Sequence, residues 1–308
     1  MNRAPTSRRA AFTLLELLVS LGVLVIICLL VTKLVGATTD ASRLSNLGVD
    51  AAAQARLTFD RLELDLGKAV RRSDCDFLVT NIVNPAAPQV LSFLTEVTSP
   101  GIAPADNRGI SLVGYEIGAR DSAPLPCLLR AGRPIAWAVN GLAGYDADKL
   151  PVPVRNLPIH LEPADFDVLA PAVIRVTFGF QLYPDNEEVT LADGRVIPNA
   201  RGQIVYSPPV RKDADGKLTP LVNRRHISAL IVGLVAMNPD TQKLVNAAQV
   251  KALAERFATP DQGVLPVAAW GGIADNVSGL PADIPLPARQ SLRVFQRAFP
   301  ITPFGSSL

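Results

Sequence analysis

Residues 8–31 read RRAAFTLLELLVSLGVLVIICLLV, two arginines followed by an apolar run that a single carboxylate, Glu16, interrupts near its start. The run extends from Phe12 to Val35, with Lys33 as its other charged residue. Roughly 20 apolar residues are enough for a helix to cross a bilayer. A charged side chain at the centre of such a helix costs about 2.5–3.5 kcal/mol. The carboxylate of Glu16 therefore needs a specific explanation.

The charges around the run predict its orientation. Arg3, Arg8 and Arg9 precede it, and no acidic residue lies before Glu16. Basic residues stay on the cytoplasmic side, so we expect everything after about Lys33 to be extracytoplasmic. The whole chain carries a net charge of only +2 and lacks the long basic stretch of a nucleic-acid-binding protein, so we expect no nucleic acid partner.

Three conventional targeting signals could account for the apolar run, but each conflicts with some of its residues. A secretory signal peptide cut after Val35-Gly36-Ala37 has small residues at the cut, but its apolar core exceeds the usual ~7–15 residues and Glu16 interrupts it. A lipoprotein signal ending at Cys28 needs a small residue where Ile27 stands, so we discard it. A plain signal anchor accounts for Glu16 only as an interfacial glutamate that reaches back to water.

The segment Ala11-Phe12-Thr13-Leu14-Leu15-Glu16 resembles the class III signal of type IV prepilins and type II secretion pseudopilins. In that family a membrane-embedded prepilin peptidase cuts before the phenylalanine on the cytoplasmic side and methylates the new amine. The resemblance implies a cut between Ala11 and Phe12, methylation of Phe12, and Glu16 as the fifth mature residue. The family usually has glycine where Ala11 stands, and alanine is also small.

Cleavage would give Glu16 a partner. The new amine of Phe12 lies four residues from the carboxylate, in the same subunit or in a neighbouring one. A paired charge in a low-dielectric medium is far less costly than a lone one. We therefore hypothesise that Glu16 sets the axial register as subunits join a filament.

An amphipathic helix is predicted to continue beyond the apolar run. Apolar residues recur at steps of three and four, and no proline lies between Pro5 and Pro85. The apolar stripe consists of Leu44, Leu47, Ala51, Ala55, Phe59, Leu62, Leu66 and Ala69/Val70. The predicted organisation is a basic leader at 1–11, a transmembrane helix at 12–35, its amphipathic continuation at 36–72 and an extracytoplasmic body at 73–308. A coiled-coil stalk is the alternative for the amphipathic part.

The body is predicted to be rich in strands, with an inserted helix or helix pair at 238–260, centred near 240–258. We expect one apolar face on the strand at 172–183, a central strand at 226–238, and loops at 184–225 and 260–288. Asp193-Gly194 and Asp215-Gly216 are turn signals. The remaining predicted strands lie at 89–97, 109–118, 127–132, 134–139 and 288–301. The fold class is α+β, with one long helix packed on antiparallel sheet.

Two segments extend the family resemblance. Residues 52–74, AAQARLTFDRLELDLGKAVRRSD, resemble the helix end of J-type minor pseudopilins. In that group a Tyr-containing strand, here VGYEIG, pairs with a Leu-Arg strand, here CLLR. The length of the chain, the inserted helix and the ending LRVFQRAFPI are similar to the pilin-like group called Verru_Chthon cassette protein C. The resemblance implies a pilin-like fold.

Few residues suggest a chemical site. His160 and His226 lack a Cys or Glu at metal-ligand spacing, so we expect no metal and no cofactor, and the chain is not expected to be an enzyme. Cys75 and Cys127 either form a disulfide outside the cytoplasm or remain buried thiols. Asp213 and Asp215 form either a fragment of a calcium loop or a polar hairpin turn.

The resemblance implies a minor pseudopilin of a type II secretion or type IV filament system. Its expected partners are the prepilin peptidase/N-methyltransferase, other pilin-like subunits, an inner-membrane assembly platform and the lipid bilayer. The expected location is the inner membrane, single-pass, with a periplasmic or other extracytoplasmic body. An exported surface binding module held by a signal anchor is the alternative, and an exported enzyme with an unrecognised site is a third hypothesis.

Overall fold

The structure is a computed structural model that describes 14–70, 77–80, 89–96, 110–120, 123–135, 137–138, 141–142, 161, 163–183, 188–198, 202–212, 218–222 and 226–301. The side chains of 40–47, 78, 80, 135, 137–138, 141–142, 163, 211–212 and 218–222 are excluded from this description. The chain forms two compact units, Met1–Asn46 and Leu47–Leu308. The two units are described separately below.

Five α-helices lie in the described residues: α1 Leu14–Gly67, α2 Pro239–Gln242, α3 Ala247–Arg256, α4 Pro266–Asp275 and α5 Leu286–Gln290. The region predicted as a helix or helix pair contains α2 and α3, and α3 begins with a capping box between Asn246 and Gln249. The predicted loop at 260–288 is wrong, because α4 and the start of α5 lie there. Each begins with proline in its first turn, where proline lacks only an N–H that has no helical partner.

Fifteen strands lie in the described residues. They are β1 Leu78–Thr80, β2 Val90–Thr95, β3 Ile110–Arg120, β4 Ala123–Ile135, β5 Trp137–Ala138, β6 Gly141–Leu142, β7 Phe166–Ala170, β8 Val173–Leu182, β9 Val189–Thr190, β10 Val196–Ile197, β11 Ile204–Val205, β12 Val210–Lys212, β13 Leu218–Val222, β14 Ile227–Ala236 and β15 Arg293–Pro300.

These strands form a seven-stranded sheet in the order β12-β13-β1-β2-β3-β4-β7 and a four-stranded sheet in the order β11-β8-β14-β15. Two further pairs, β9/β10 and β5/β6, stand apart. The pairings between the strands are antiparallel. The α+β class predicted from the sequence is therefore confirmed.

The boundaries of some strands differ from the predicted ones. Strand β4 runs through Pro134, where two separate strands were predicted. Proline is tolerated there because β7 pairs with β4 only at Leu128–Ala131, which leaves the end of β4 at the sheet edge within the described part. The predicted loop at 184–225 contains the short strands β9 to β13. The turn at Asp193-Gly194 is confirmed, with Gly194 at φ 84° between β9 and β10.

Strand β8 has the predicted apolar face, and its second face is buried as well. Arg175 and Thr177 alternate with its apolar residues, yet they are only 2% and 0% exposed. One face contributes Val176 and Phe178 to the main core, while Ile174 belongs to a second core. That second core is completed by residues of helices α3, α4 and α5, among them Leu253 and Trp270. The helices therefore cover the second face of the strand.

The main core lies between the second part of α1 and the two larger sheets. Ala51, Ala55, Phe59 and Leu62 of α1 are buried, as their spacing predicts, and Leu66 is partly buried. Phe59 packs against Phe299 of β15 with 6.1 Å between ring centroids. The two sheets thus form a continuous apolar surface against which this segment of the helix packs.

Candidate functional site

The N-terminal part of α1 is the first candidate surface. Residues Leu14–Thr39 form a helical segment of mean hydropathy 3.0, long and apolar enough to span a membrane, and none of its most apolar window is buried. Its large apolar side chains from Leu14 to Val35 are 50–82% exposed. Such a surface requires a bilayer or other apolar chains around it, because water disfavours it over its whole circumference.

Glu16 lies in the first turn of this helix. The amino end of a helix carries partial positive charge, so a carboxylate is electrostatically favoured there. Ala11 and Phe12, the predicted cleavage and methylation residues, lie outside the described residues. The proposed pairing of Glu16 with the amine of Phe12 therefore stays a prediction.

The hydroxyl groups of the apolar segment donate to the helix backbone. Thr32 donates to the carbonyl of Cys28 at 2.8 Å, and Thr39 donates to that of Val35 at 2.8 Å. Ser20 donates to the carbonyl of Leu17 at 2.9 Å. Such bonds satisfy a hydroxyl inside its own helix, so these residues suit an apolar environment without a partner chain.

The outer face of the second part of α1 is also apolar. Val49, Leu57 and Leu64 are 63%, 50% and 44% exposed and recur at intervals of about two helical turns. Ala53 lies one turn from both Val49 and Leu57 and is exposed as well. These four residues form the outer stripe, which lies opposite the face buried against the body. Within unit Leu47–Leu308, the helix thus has two apolar faces.

A buried acid anchors the C-terminal end of α1 to the seven-stranded sheet. The carboxylate of Asp65 has no solvent exposure. Arg130 donates from Nε to Oδ2 at 2.6 Å and from Nη2 to Oδ1 at 3.1 Å. Tyr115 donates its hydroxyl to Oδ2 at 2.5 Å, and Arg61 lies 3.3 Å from Oδ1. The carboxylate is thereby bound on both oxygens, which is what a buried charge requires.

The pKa shifts in this cluster reflect its burial. Burial raises the pKa of the Tyr115 phenol well above its ordinary value of 10.0, and the charge of Asp65 raises it further. Burial acts to lower the pKa of Arg130, but the hydrogen bonds and charge of Asp65 outweigh it, and the net shift is upward. At neutral pH the phenol is therefore a neutral donor and the guanidinium is a cation.

Backbone bonds reinforce the same junction. The chain leaving α1 pairs with the end of β2, where Val70 N donates to Leu94 O at 2.9 Å and Glu96 N donates to Lys68 O at 2.8 Å. The hydroxyl of Thr95 donates to the backbone carbonyl of Asp65 at 2.9 Å. The last turn of the helix is thus connected to the sheet through both its side chains and its backbone.

Polar contacts also hold α1 to the four-stranded sheet and its helices. Asn238, which precedes α2, donates to Asp50 Oδ2 at 2.6 Å. Arg297 of β15 lies 2.5 Å from Glu63 Oε2 and 3.6 Å from Asp60 Oδ1. These contacts add to the packing of the buried apolar face, which orients the helix so that the outer stripe faces away from the body.

The strand pairing behind the Asp65 cluster was predicted in part. Tyr115 of β3 lies directly opposite Arg130 of β4, as expected for a Tyr-containing strand beside a Leu-Arg strand. The role of Asp65 was missed. Its position three residues after Leu62 and four before Ala69 puts an acid within the apolar stripe, and that pattern could have indicated a buried basic partner.

Of the remaining predicted residues, Cys127 and His226 lie in the described part of the chain, and they form no assembled site there. Cys127 is a buried free thiol in β4, and burial raises its pKa, whereas Cys75 lies outside the described residues. Asp213 and Asp215, between β12 and β13, and His160 also lie outside them. His226 is partly buried at the start of β14. No cluster of three or more His, Cys, Asp or Glu suited to a metal occurs in the ranges that the structure describes.

Comparison with protein-family models, with curated proteins and with solved structures found no match.

Proposed function

We propose that this chain is a pilin-like structural subunit, most similar to a minor pseudopilin of a type II secretion or type IV filament system. It is processed by a prepilin peptidase at Ala11 and Phe12, and it acts by assembly. The apolar first part of α1 inserts in the inner membrane and later packs in the filament core. The β-rich body lies outside the cytoplasm and forms the outer surface or tip contacts.

One observation carries this proposal. A single 54-residue helix, Leu14–Gly67, begins with an uncovered apolar segment and ends with a segment fixed to a sheet body. A simple membrane anchor needs only the first segment. The second segment has its own buried face, its Asp65 anchor and an exposed outer stripe, features that suit a helix with neighbours on both sides.

The mature N-terminus tests the processing step. The full chain would be expressed with a prepilin peptidase, and the N-terminal peptide would be examined by mass spectrometry. We expect a peptide that begins with N-methylated Phe12. A chain that begins at Thr38, or one that retains Met1 in the presence of active peptidase, would contradict the proposal.

The role of Glu16 in assembly is tested separately. We expect Glu16→Ala to insert in membranes normally and to lower the yield of crosslinked oligomers by about tenfold or more, since 1.4 kcal/mol of lost pairing energy already gives that factor. The matched control is Ser20→Ala, one turn further along, which loses only a bond within the helix. Normal oligomer yield from Glu16→Ala would remove the register role.

A signal-anchored surface binding module is the second candidate function, favoured by a cavity in the body that is described below. This alternative predicts an uncut N-terminus and no dependence of any activity on Glu16. The mass spectrometry experiment therefore separates it from the filament subunit.

A further inference from the structure

The body contains a cavity of about 400 Å³ between the β3–β4 hairpin, strand β8 and helix α3. Ligand pockets usually measure about 300–1,000 Å³, so the cavity suits a small molecule or a short chain end. Its walls are mainly aliphatic, with Ile117, Pro126 and Ile174 on the strands. All of these elements belong to the unit Leu47–Leu308.

Small side chains of α3 keep the cavity open. Ala247, Ala248 and Ala254 line it, on one face of the helix. Larger side chains at these positions would occupy the space. The first two are exposed and the third is partly exposed, so they contribute little to the core of the body.

The charges around the cavity favour an anion. Arg175 lines it and is 2% exposed, so its cation sits in a poorly hydrated environment. Burial lowers the pKa of Arg175 to about 10, which leaves the guanidinium protonated at neutral pH. The first turn of α3 adds its positive helix end, and Lys251 adds an exposed cation. Among the described residues of the lining, Glu255 is the acidic one, and it lies two turns away, toward the other end of α3.

We propose that this cavity binds an apolar molecule that ends in a carboxylate. The carboxylate contacts the guanidinium of Arg175, because a planar guanidinium matches a carboxylate with two parallel hydrogen bonds. The hydrocarbon part lies along Ile117, Ile174 and the alanines of α3. This binding does not depend on filament assembly, and it would hold for a surface binding module as well.

Titration with octanoate tests the proposal on the full chain in lipid nanodiscs, with empty discs measured in parallel to subtract partition into lipid. We expect saturable heat of binding in calorimetry. Octanol and octylamine, which have the same chain length, should bind about tenfold more weakly or worse, as expected when a charged hydrogen bond is lost. Equal binding of octanoate and octanol would overturn the proposal.

Two variants locate the site. Ala248→Trp places a large side chain in the cavity and should weaken octanoate binding about tenfold or more, whereas Leu244→Trp, an exposed position outside the cavity, should leave it unchanged. Arg175→Met should weaken octanoate binding and leave octanol binding unaltered. If Arg175→Met does not fold, the comparison of Ala248→Trp with Leu244→Trp still tests whether octanoate binds in the cavity. Wild-type affinity for octanoate in Ala248→Trp would refute the site.

A competition experiment distinguishes two sources of the same chemistry. Tri-leucine with a free carboxylate would be added to the octanoate complex, with tri-leucine amide as its control. Displacement by the acid alone identifies a peptide C-terminus as an accepted ligand. Failure of both peptides, with octanoate still bound, identifies free aliphatic acids as the ligand class. Equal displacement by acid and amide would contradict recognition of the carboxylate.

Discussion

At the scale of single residues, Asp65 connects the helix to the sheet. Removing its carboxylate leaves Arg130 and Tyr115 without their shared acceptor in a buried environment. Loss of one partner of a buried ion pair typically costs about 3–5 kcal/mol. We expect Asp65→Ala to lower the free energy of unfolding by about that amount, measured by urea unfolding of the full chain in nanodiscs with near-UV circular dichroism.

The control for this prediction is Asp60→Ala on the same helix. The Asp60 side chain is 59% exposed and lies 3.7 Å from Arg56 and 3.6 Å from Arg297. Exposed ion pairs contribute roughly 0–1 kcal/mol, so the change should be small. Similar losses for the two variants would show that the Asp65 cluster has no special role in stability.

The phenol of Tyr115 predicts a loss of stability at alkaline pH. Its pKa in the folded protein is raised above the ordinary value of 10.0, so the folded state holds the proton more tightly than the unfolded state. The contribution is complete below pH 10 and is lost as the pH rises from there toward the folded pKa. Tyr115→Phe should therefore show a shallower decline of unfolding free energy above pH 10.

Tyr206 provides the comparison for this alkaline effect. Burial raises its pKa as well, and its hydroxyl donates to the carbonyl of Val264 at 2.6 Å. Because Tyr206 is still present in the Tyr115→Phe variant, part of the decline in unfolding free energy at alkaline pH should remain. An unchanged slope in Tyr115→Phe would mean that this phenol does not contribute.

At the scale of elements, substitutions on the two faces of α1 should differ in their effect on the free energy of unfolding. Leu62 is 1% exposed in the main core, and Leu62→Ala should lower the unfolding free energy by about 2–5 kcal/mol. Leu57 is 50% exposed on the outer stripe, and Leu57→Glu should change stability by no more than about 0.5 kcal/mol.

The same pair separates folding from association. If the outer stripe contacts neighbouring subunits, Leu57→Glu should reduce glutaraldehyde-crosslinked oligomers in membranes by about tenfold, because a buried leucine contributes about 1.5–3 kcal/mol. Normal crosslinking by a stably folded Leu57→Glu chain would exclude the stripe as a contact surface.

The sequence predicted those elements in which one periodicity is sustained. The apolar stripe of α1, the strand at β8 and the helix α3 follow from steps of three and four or from alternation. Helices α4 and α5 were missed because proline was interpreted as a loop signal, although a helix accepts it in the first turn. The burial of Arg175 was missed because α3 packs over β8, and the alternation of residues within a strand does not show which element covers it.

Of the candidate sites, the sequence indicated Glu16 but not the Asp65 cluster or the cavity, because the latter two depend on tertiary contacts. Glu16 stands out because it is a charge within an apolar run, a contrast visible in the sequence alone. Asp65 also interrupts an apolar stripe, but other charged residues surround it in the sequence, and its partners Tyr115 and Arg130 are identified only once β3 and β4 bring them together. The cavity beside α3 joins residues separated by more than a hundred positions, which periodicity cannot associate.

At the scale of the whole molecule, the two units need different surroundings. The apolar helix of the first unit has no protein cover, whereas the unit Leu47–Leu308 has a main core, a second core and charged residues on its surface. Among the described side chains of α1, the first that belongs to the main core is Ala51. The core residues that the structure describes are therefore contained in the second unit.

We predict that a shortened chain, Leu47–Leu308, folds as a water-soluble protein, whereas the full chain requires lipid or detergent. The reason is that removal of residues 1–46 takes away the uncovered apolar segment and, among the side chains that the structure describes, none of the buried core residues. Membrane flotation measures whether each chain associates with lipid, and sedimentation measures whether the shortened chain stays soluble in water. Urea unfolding measures whether the shortened chain unfolds cooperatively. A control that begins at Thr58 lacks Ala51 and Ala55 and should unfold at lower urea concentration. An insoluble or non-cooperative Leu47–Leu308 chain would show instead that the body depends on the membrane helix for its fold.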